Sequence, residues 1–339
     1  MRRHCSGSSI IKTLPLQSAL PPRLDTDTKP APRGFCAYAW SVVGITLAVI
    51  LWGAYVRAAG AGNGCGDHWP LCGGQFFPSH PKLATMIEFA HRASSGIDAL
   101  LVLGLFLAAW RWFPRRHRVR RAAGWGLGFM GMEALLGAAL VLFGWVGQNA
   151  SAGRVIADAV HLCNTLLLLG AVALAAAWAS GLPPPRRPAR SEAWRLGAGL
   201  GAVIVTAAFG TMAALADTLY PVRSLAAGLR QDLHAQALLP RLRVLHPAIA
   251  ILAGLYLLSL VIEARPAQAA RLTQRLGVAV AAAVGVQWAC GALDVALTAP
   301  AGMQLLHLAT ADLLWLTLVL YAAARAGDGA APASAQRVA

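Results

Sequence analysis

The sequence predicts an all-α integral membrane protein, with eight transmembrane helices forming two four-helix bundles related by a pseudo-twofold axis. Three observations carry this reading. Hydrophobic residues make up 57% of the 339-residue chain and charged residues only 13%, with a mean hydropathy of +0.57, far from the balance of a soluble domain. Eight stretches approach the roughly 20 apolar residues that cross about 30 Å of hydrocarbon. Every second one of them carries a histidine near its start. The net charge of +15 would suit a nucleic acid, but the arginines fall in short runs between apolar stretches and form no single basic face. The expected surroundings are therefore membrane lipid, with no nucleic-acid partner.

Residues 1–34 read as a disordered basic tail, because Pro15, Pro21, Pro22, Pro30 and Pro32 interrupt any helix and no apolar core of signal-peptide length is present. Asp25 and Asp27 argue against a transit peptide. The expected spans are 36–56, 83–110, 122–145, 155–179, 195–216, 244–263, 276–297 and 303–325. They divide the chain into an N-terminal half (35–180), a linker (181–194), a C-terminal half (195–325) and a second disordered tail (326–339). Inside lipid every backbone polar group needs an internal partner, so the spans are expected to be helices.

Most of the 29 lysines and arginines lie in the N-terminal tail, the 111–121 and 180–195 connections, the segment around Arg265 to Arg275, and the C-terminal tail. The positive-inside rule places that side, with both termini, in the cytoplasm. The connection 57–82 then faces outward, onto the periplasmic side of a bacterial inner membrane. It contains "GCGDHWPLCGG", whose Cys65 and Cys72 read as a disulfide on the oxidising side. A zinc clip asks for about four ligands, and this loop offers Cys65, Cys72, His68 and Asp67 without the usual short cysteine spacing. Cys36, Cys163 and Cys290 read as small packing residues within helices and Cys5 as part of the tail. His4, His117 and His234 read as solvated tail or loop histidines, and His68 and His80 also lie in a loop.

The second, fourth, sixth and eighth spans all run from outside to inside, and each has one histidine in its first turns: His91 in "IEFAHRASSG", His161 in "HLCNTLLLLG", His246 in "RVLHPAIAILAG" and His307 in "QLLHLATADLLW". His91 matches His246 and His161 matches His307, and the likeness of "HLCNTLLLLGAVAL" to "HLATADLLWLTLVL" supports an internal duplication. A single intramembrane histidine is ordinarily a hydrogen-bonding residue between helices. Four at matched depth, two per half, instead suggest two bis-histidine heme sites, with each iron bound axially from facing helices. Zinc or copper also takes imidazole but needs three or four ligands converging on one point.

The halves differ three residues before the first histidine of each pair, where Glu88 precedes His91 and Arg243 precedes His246. Residues i and i+3 share a helix face, so a carboxylate accompanies one pair and a cation the other. An ionisable group inside a membrane is a functional candidate by default. The ordinary alternatives are an ion pair of Glu88 with Arg92, and interfacial snorkelling or propionate pairing for Arg243. Asp98, Glu133, Asp158, Asp294 and Asp312 are assigned structural hydrogen bonds.

Taken in order, "GAYVRAAGAGNGCGDHWPLCGG", "EFAHR", "HLCNTLLLLG", "RLRVLHP" and "QLLHLATADLLW" resemble the heme A synthase family over residues 36 to 325. The resemblance implies two pseudo-twofold-related halves, with substrate heme O held by His91 and His161 and a cofactor heme b by His246 and His307. It implies oxidation of the C8 methyl group of heme O to a formyl group, giving heme A for aa3-type cytochrome oxidases, with Glu88 taking part in the reaction. Arg92 and Arg243 are candidates for propionate contacts, and Cys65 and Cys72 match a cysteine pair found in one class of the family. Heme O synthase and oxidase assembly factors are the implied partners, and a homo-oligomer remains open. The sequence departs from many relatives at Pro247, where they carry arginine, and in its long 217–242 connection. Two other readings use the same histidines: a di-heme cytochrome b that relays electrons, which gives Glu88 no task, and a heme transport or assembly protein, with which the eight-helix repeat is also compatible.

Overall fold

Long runs of alanine, leucine and valine have no conformation in lipid that satisfies their peptide groups except helix, and the protein is built from helices accordingly. The computed structural model describes residues 31–185, 189–234, 238–263 and 269–328. Residues 1–30 and 329–339, to which most of the two predicted tails belong, lie outside the described residues, as do His4, Cys5, Arg186, Arg187 and Arg265. The described residues form nine helices: α1 (Arg33–Ala58), α2 (Leu83–Trp112), α3 (Arg118–Leu142), α4 (Ala152–Ala179), α5 (Arg190–Leu219), α6 (Leu225–His234), α7 (Leu238–Glu263), α8 (Arg271–Ala296) and α9 (Ala301–Asp328). All but α6 are long and apolar enough to cross a membrane, and the protein is a multi-pass membrane protein.

Several helices outrun the apolar stretches that announce them. Helix α1 starts at Arg33, α3 at Arg118, α5 at Arg190 and α7 at Leu238, while α9 continues to Asp328. The tails and linker read from the sequence are thus partly helical at their edges. Hydrophobicity ends where the arginines begin, but arginine is a good helix former, and the backbone hydrogen bonds continue through it. Proline is tolerated in a first helical turn, so Pro240 does not delay α7. Stops and starts have local causes. Phe113, ahead of Pro114, is extended and ends α2. His117 caps α3 by accepting from the Val119 amide, and Ser151 caps α4 by accepting from the Arg154 amide. Pro247 lies inside α7, where it removes one backbone hydrogen bond.

The helices pack in the same order in each half. Helix α1 touches α2, α2 touches α3, α3 touches α4, and α4 returns to α1; α5, α7, α8 and α9 repeat that cycle. The halves meet through α1, α4, α5 and α9. Helix α4 is the central element, with 67% of its apolar window buried against 17–33% for the other seven spans. Its alanine-rich C-terminal part suits that place, since lipid supplies no hydrophobic drive and small residues allow close approach. Trp315 of α9 donates its indole N–H to the Leu166 carbonyl of α4 at 2.6 Å, a direct tie between the halves. Large apolar side chains such as Ile97, Leu100, Leu107, Trp110 and Leu252 point outward, as a lipid-facing surface requires.

Candidate functional site

All four histidines lie near the N-terminal ends of alternate spans, α2, α4, α7 and α9, so they share one side of the bundle with the disulfide loop. The nearest stretch of the partner helix is glycine in three of four cases. A Cβ on Gly53 of α1 would stand 2.8 Å from Cε1 of His91, one on Gly210 of α5 3.0 Å from Cε1 of His246, and one on Gly291 of α8 3.0 Å from Cε1 of His307. Each glycine leaves room for an imidazole where any side chain would press on the ring.

In the C-terminal half the His246 and His307 rings are neighbours in an edge-on arrangement, with centroids 6.2 Å apart and planes at 89°. Imidazole nitrogen binds a first-row transition metal at about 2 Å, so two rings on opposite sides of one ion have centroids about 6 Å apart. The pair therefore fits an iron between them. In the N-terminal half Nδ1 of His91 is buried with no hydrogen-bond partner among the described residues. Buried polar atoms ordinarily have partners, and Nδ1 of His161 and of His246 are left in the same state, which fits histidines whose rings serve a bound group. Among the described residues no three His, Cys, Asp or Glu side chains converge to hold a metal ion alone, so the donor set suits a metal that brings its own macrocycle.

Around each pair the supporting residues differ. Glu88, one turn before His91, is buried and bonded at both oxygens. Its Oε1 accepts from Nε (3.1 Å) and Nη2 (2.5 Å) of Arg92, and its Oε2 accepts from the Cys65 amide at 2.8 Å. The ion pair that was the ordinary alternative for Glu88 is thus present. Arg92 also donates to the carbonyls of His68 (2.5 Å) and Leu71 (2.7 Å), and Thr85 donates to Gly64 O at 2.8 Å. Cys65 and Cys72 form a disulfide, so the loop is closed on itself and fastened to α2 at Glu88 and Arg92. Gly73 and Gly74 have φ of +57° and +77°, a turn that side chains resist.

Among the described residues the C-terminal half has no such loop. Arg243, one turn before His246, is bound by Asp232 of α6 and by Asp217 of α5 at 2.7 Å. The long 217–242 connection thereby acquires a role that the sequence did not show, since its short helix delivers the Asp232 carboxylate to Arg243. Between the halves, Arg57 of α1 donates to Ala214 O (2.6 Å), Thr218 Oγ1 (2.8 Å) and Gln304 Oε1 (3.1 Å).

The hydrogen bonds expected of the remaining acids are present at Asp98, which accepts from Thr46 at 3.0 Å, and at Asp158, paired with Arg154 at 3.4 Å. Glu133 accepts from Asn164 (2.9 Å) and Thr165 (2.7 Å) and lies 2.5 Å from Nδ1 of His161. The expectation fails for Asp312, whose two carboxyl oxygens are buried without a partner, and in part for Asp294, whose Oδ1 is likewise unpartnered. The helix period that brings apolar faces together carried both inward with no donor opposite. Cys36 and Cys163 are half-buried and lean on the carbonyls of Ala179 (3.3 Å) and Ile204 (3.8 Å). His117, read as a solvated loop histidine, is instead buried, because its capping role draws the ring into the start of α3 and onto Phe113 at 4.5 Å.

The sequence reading missed Gly53, Gly210 and Gly291, together with Gln287 and the histidine contact of Glu133. The usable signal was the pair of heptapeptides "GMEALLG" (131–137) and "GVQWACG" (285–291), matched across the halves with Glu133 and Gln287 in register.

Comparison with known proteins identifies the family. The chain is 45% identical over 306 residues to proteins named protoheme IX farnesyltransferase from two strains of Thermus thermophilus, covering 89% of this chain and 50% of each relative. It is 40% identical over 98 residues, 29% of this chain and 32% of the relative, to a protein of Bacillus mycoides named heme A synthase. The chain thus spans about half the length of the Thermus relatives. The family profile described as cytochrome oxidase assembly protein matches residues 37–319, and the chain belongs to that family, COX15-CtaA.

Proposed function

We propose that the chain oxidises the C8 methyl group of heme O to a formyl group, yielding heme A for an aa3-type cytochrome oxidase. The substrate lies between His91 and His161 in the N-terminal half, and a heme b between His246 and His307 in a C-terminal half related to the first by a pseudo-twofold axis. One observation carries the assignment of roles: the buried carboxylate of Glu88 stands one turn from His91, and Arg243 occupies the matching place beside His246. The names of the relatives support the pathway. Heme A synthase names the product, and farnesyl transfer to protoheme makes the farnesylated heme from which this oxidation starts.

Glu88 is held as an acceptor. An ionised carboxylate has about four lone-pair sites; Arg92 takes two on Oε1 and the Cys65 amide one on Oε2, which leaves one on Oε2 for the substrate. The conversion R–CH3 + H2O → R–CHO + 4 H+ + 4 e− draws its oxygen from water and passes its electrons, two per stage through the hydroxymethyl level, to an external acceptor; Glu88 accepts a proton released at the methyl carbon or stabilises positive charge developing there. Its three donors fix its direction before substrate arrives, which is what electrostatic preorganisation requires. Heme b, when bound, supplies a one-electron carrier beside the substrate half. Arg92 and Arg243 are the cations available to propionates, the latter from within its aspartate pair. The disulfide loop acts as an outer lid, with its far side in the periplasm of a bacterial inner membrane, the compartment in which disulfides persist.

The test is expression of the full chain together with a heme O synthase, followed by chromatography and mass analysis of extracted hemes. Hydroxylated heme O and heme A are expected. Unaltered heme O on a folded protein with both hemes bound would overturn the proposal and indicate a di-heme electron carrier.

A further inference from the structure

In each half the third span directs one polar side chain at the histidine of the fourth. In the N-terminal half this is Glu133 of α3, whose Oε2 lies 2.5 Å from Nδ1 of His161, at an angle outside the hydrogen-bonding range. Its other oxygen is fixed by Asn164 Nδ2 (2.9 Å) and Thr165 Oγ1 (2.7 Å), and Asn164 is itself oriented by donating to Phe129 O at 2.9 Å. In the C-terminal half it is Gln287 of α8, whose Nε2 lies 3.3 and 3.2 Å from the two ring nitrogens of His307 and whose Oε1 meets Thr310 Oγ1 at 2.5 Å. The frame is the same, with a carboxylate in one half and a neutral amide in the other.

We infer that Glu133 is a positioning residue that sets the tautomer and donor strength of His161. A carboxylate only accepts, so an oxygen this close to Nδ1 favours the tautomer that carries the ring proton on Nδ1, and Nε2 is left free to bind iron. Such an outer partner orients the ring and raises its basicity. A more basic axial ligand favours ferric over ferrous iron, so the site at His161 has a lower midpoint potential than it would with an amide. Gln287 is neutral in either amide orientation and gives His307 no such push. One residue difference therefore pushes the iron at His161 toward the ferric state and leaves the iron at His307 without that push. This inference rests on the proposed reading of His161 and His307 as axial ligands.

The test is a spectroscopic redox titration of the purified full chain carrying both hemes. His161→Ala identifies the component that belongs to the first site. Glu133→Gln is expected to raise the midpoint of that component alone, with about a tenfold change in ferric-over-ferrous preference, about 59 mV for one electron. Gln287→Glu is expected to lower the midpoint of the other, and it serves as the independent variant if Glu133→Gln does not fold. If His161→Ala leaves both components intact, the ligand assignment fails and the proposed function with it. Should His161→Ala remove one component while Glu133→Gln and Gln287→Glu leave both midpoints in place, the positioning role alone is overturned.

Discussion

The two halves of the molecule share a helix order and a pair of histidines, and they differ in what surrounds those histidines. The first pair has Glu88 and Glu133 beside it and a disulfide-closed loop fastened to Glu88. The second has Arg243, neutralised by Asp217 and Asp232, and the amide of Gln287. Gly53 and Gly210 clear the same space in both. The same helix order leaves room for a histidine ring in both halves, and the charge facing that ring differs. Under the proposed function, the half with Glu88 and Glu133 is the one that does chemistry on its bound molecule, and the other holds its group unaltered.

The comparison can be broken at several points. The largest expected effect is that of Glu88→Gln, which should lower product formation by about 10²–10⁴-fold, the range of a lost acid–base group, while both heme spectra persist. A variant that loses its hemes or fails to fold would make Glu88 a structural partner of Arg92 only. Next come Gly53→Ala and Gly210→Ala. Each new Cβ meets a histidine ring at 2.8 or 3.0 Å, and each should weaken heme retention about tenfold in its own half only, the low end for disturbed ligand support, read by heme titration. Loss from both halves with either variant would contradict independent pockets.

A smaller effect is expected from Cys65→Ser. The bond closes a loop between residues 7 apart, worth about 2–3 kcal/mol by chain entropy. Protease cutting in the 57–82 loop should rise and product formation fall severalfold, with the second heme untouched. The smallest is Trp315→Phe, which removes the bond to Leu166 O, costs about 1 kcal/mol in a melting experiment and leaves the difference between the halves as it was.

Much of this was legible in the sequence because membranes simplify the problem. Twenty apolar residues in a row have one structural solution, so the eight spans and the placement of His91, His161, His246 and His307 at the starts of alternate spans followed from length and order. The Glu88–Arg92 pair was readable for the same reason, as helix geometry fixes an i, i+4 contact. Contacts between helices were not. That Glu133 reaches His161, or that Gly53 stands against His91, depends on the rotation of each helix about its axis. The small and apolar residues that set this rotation are too alike in sequence to announce it. Helix α6 was missed because ten residues with Arg230 and Asp232 among them resemble a polar loop, and its helicity matters through one side chain that reaches Arg243.

The identity of the heme held by each histidine pair tests the central claim most directly. Hemes extracted from chains carrying His91→Ala or His161→Ala, and from chains carrying His246→Ala or His307→Ala, are compared after expression with a heme O synthase. The account predicts that the first two lose heme O and its oxidised products but keep heme b, and that the last two lose heme b and keep farnesylated heme. Loss of the same heme from all four variants would contradict it.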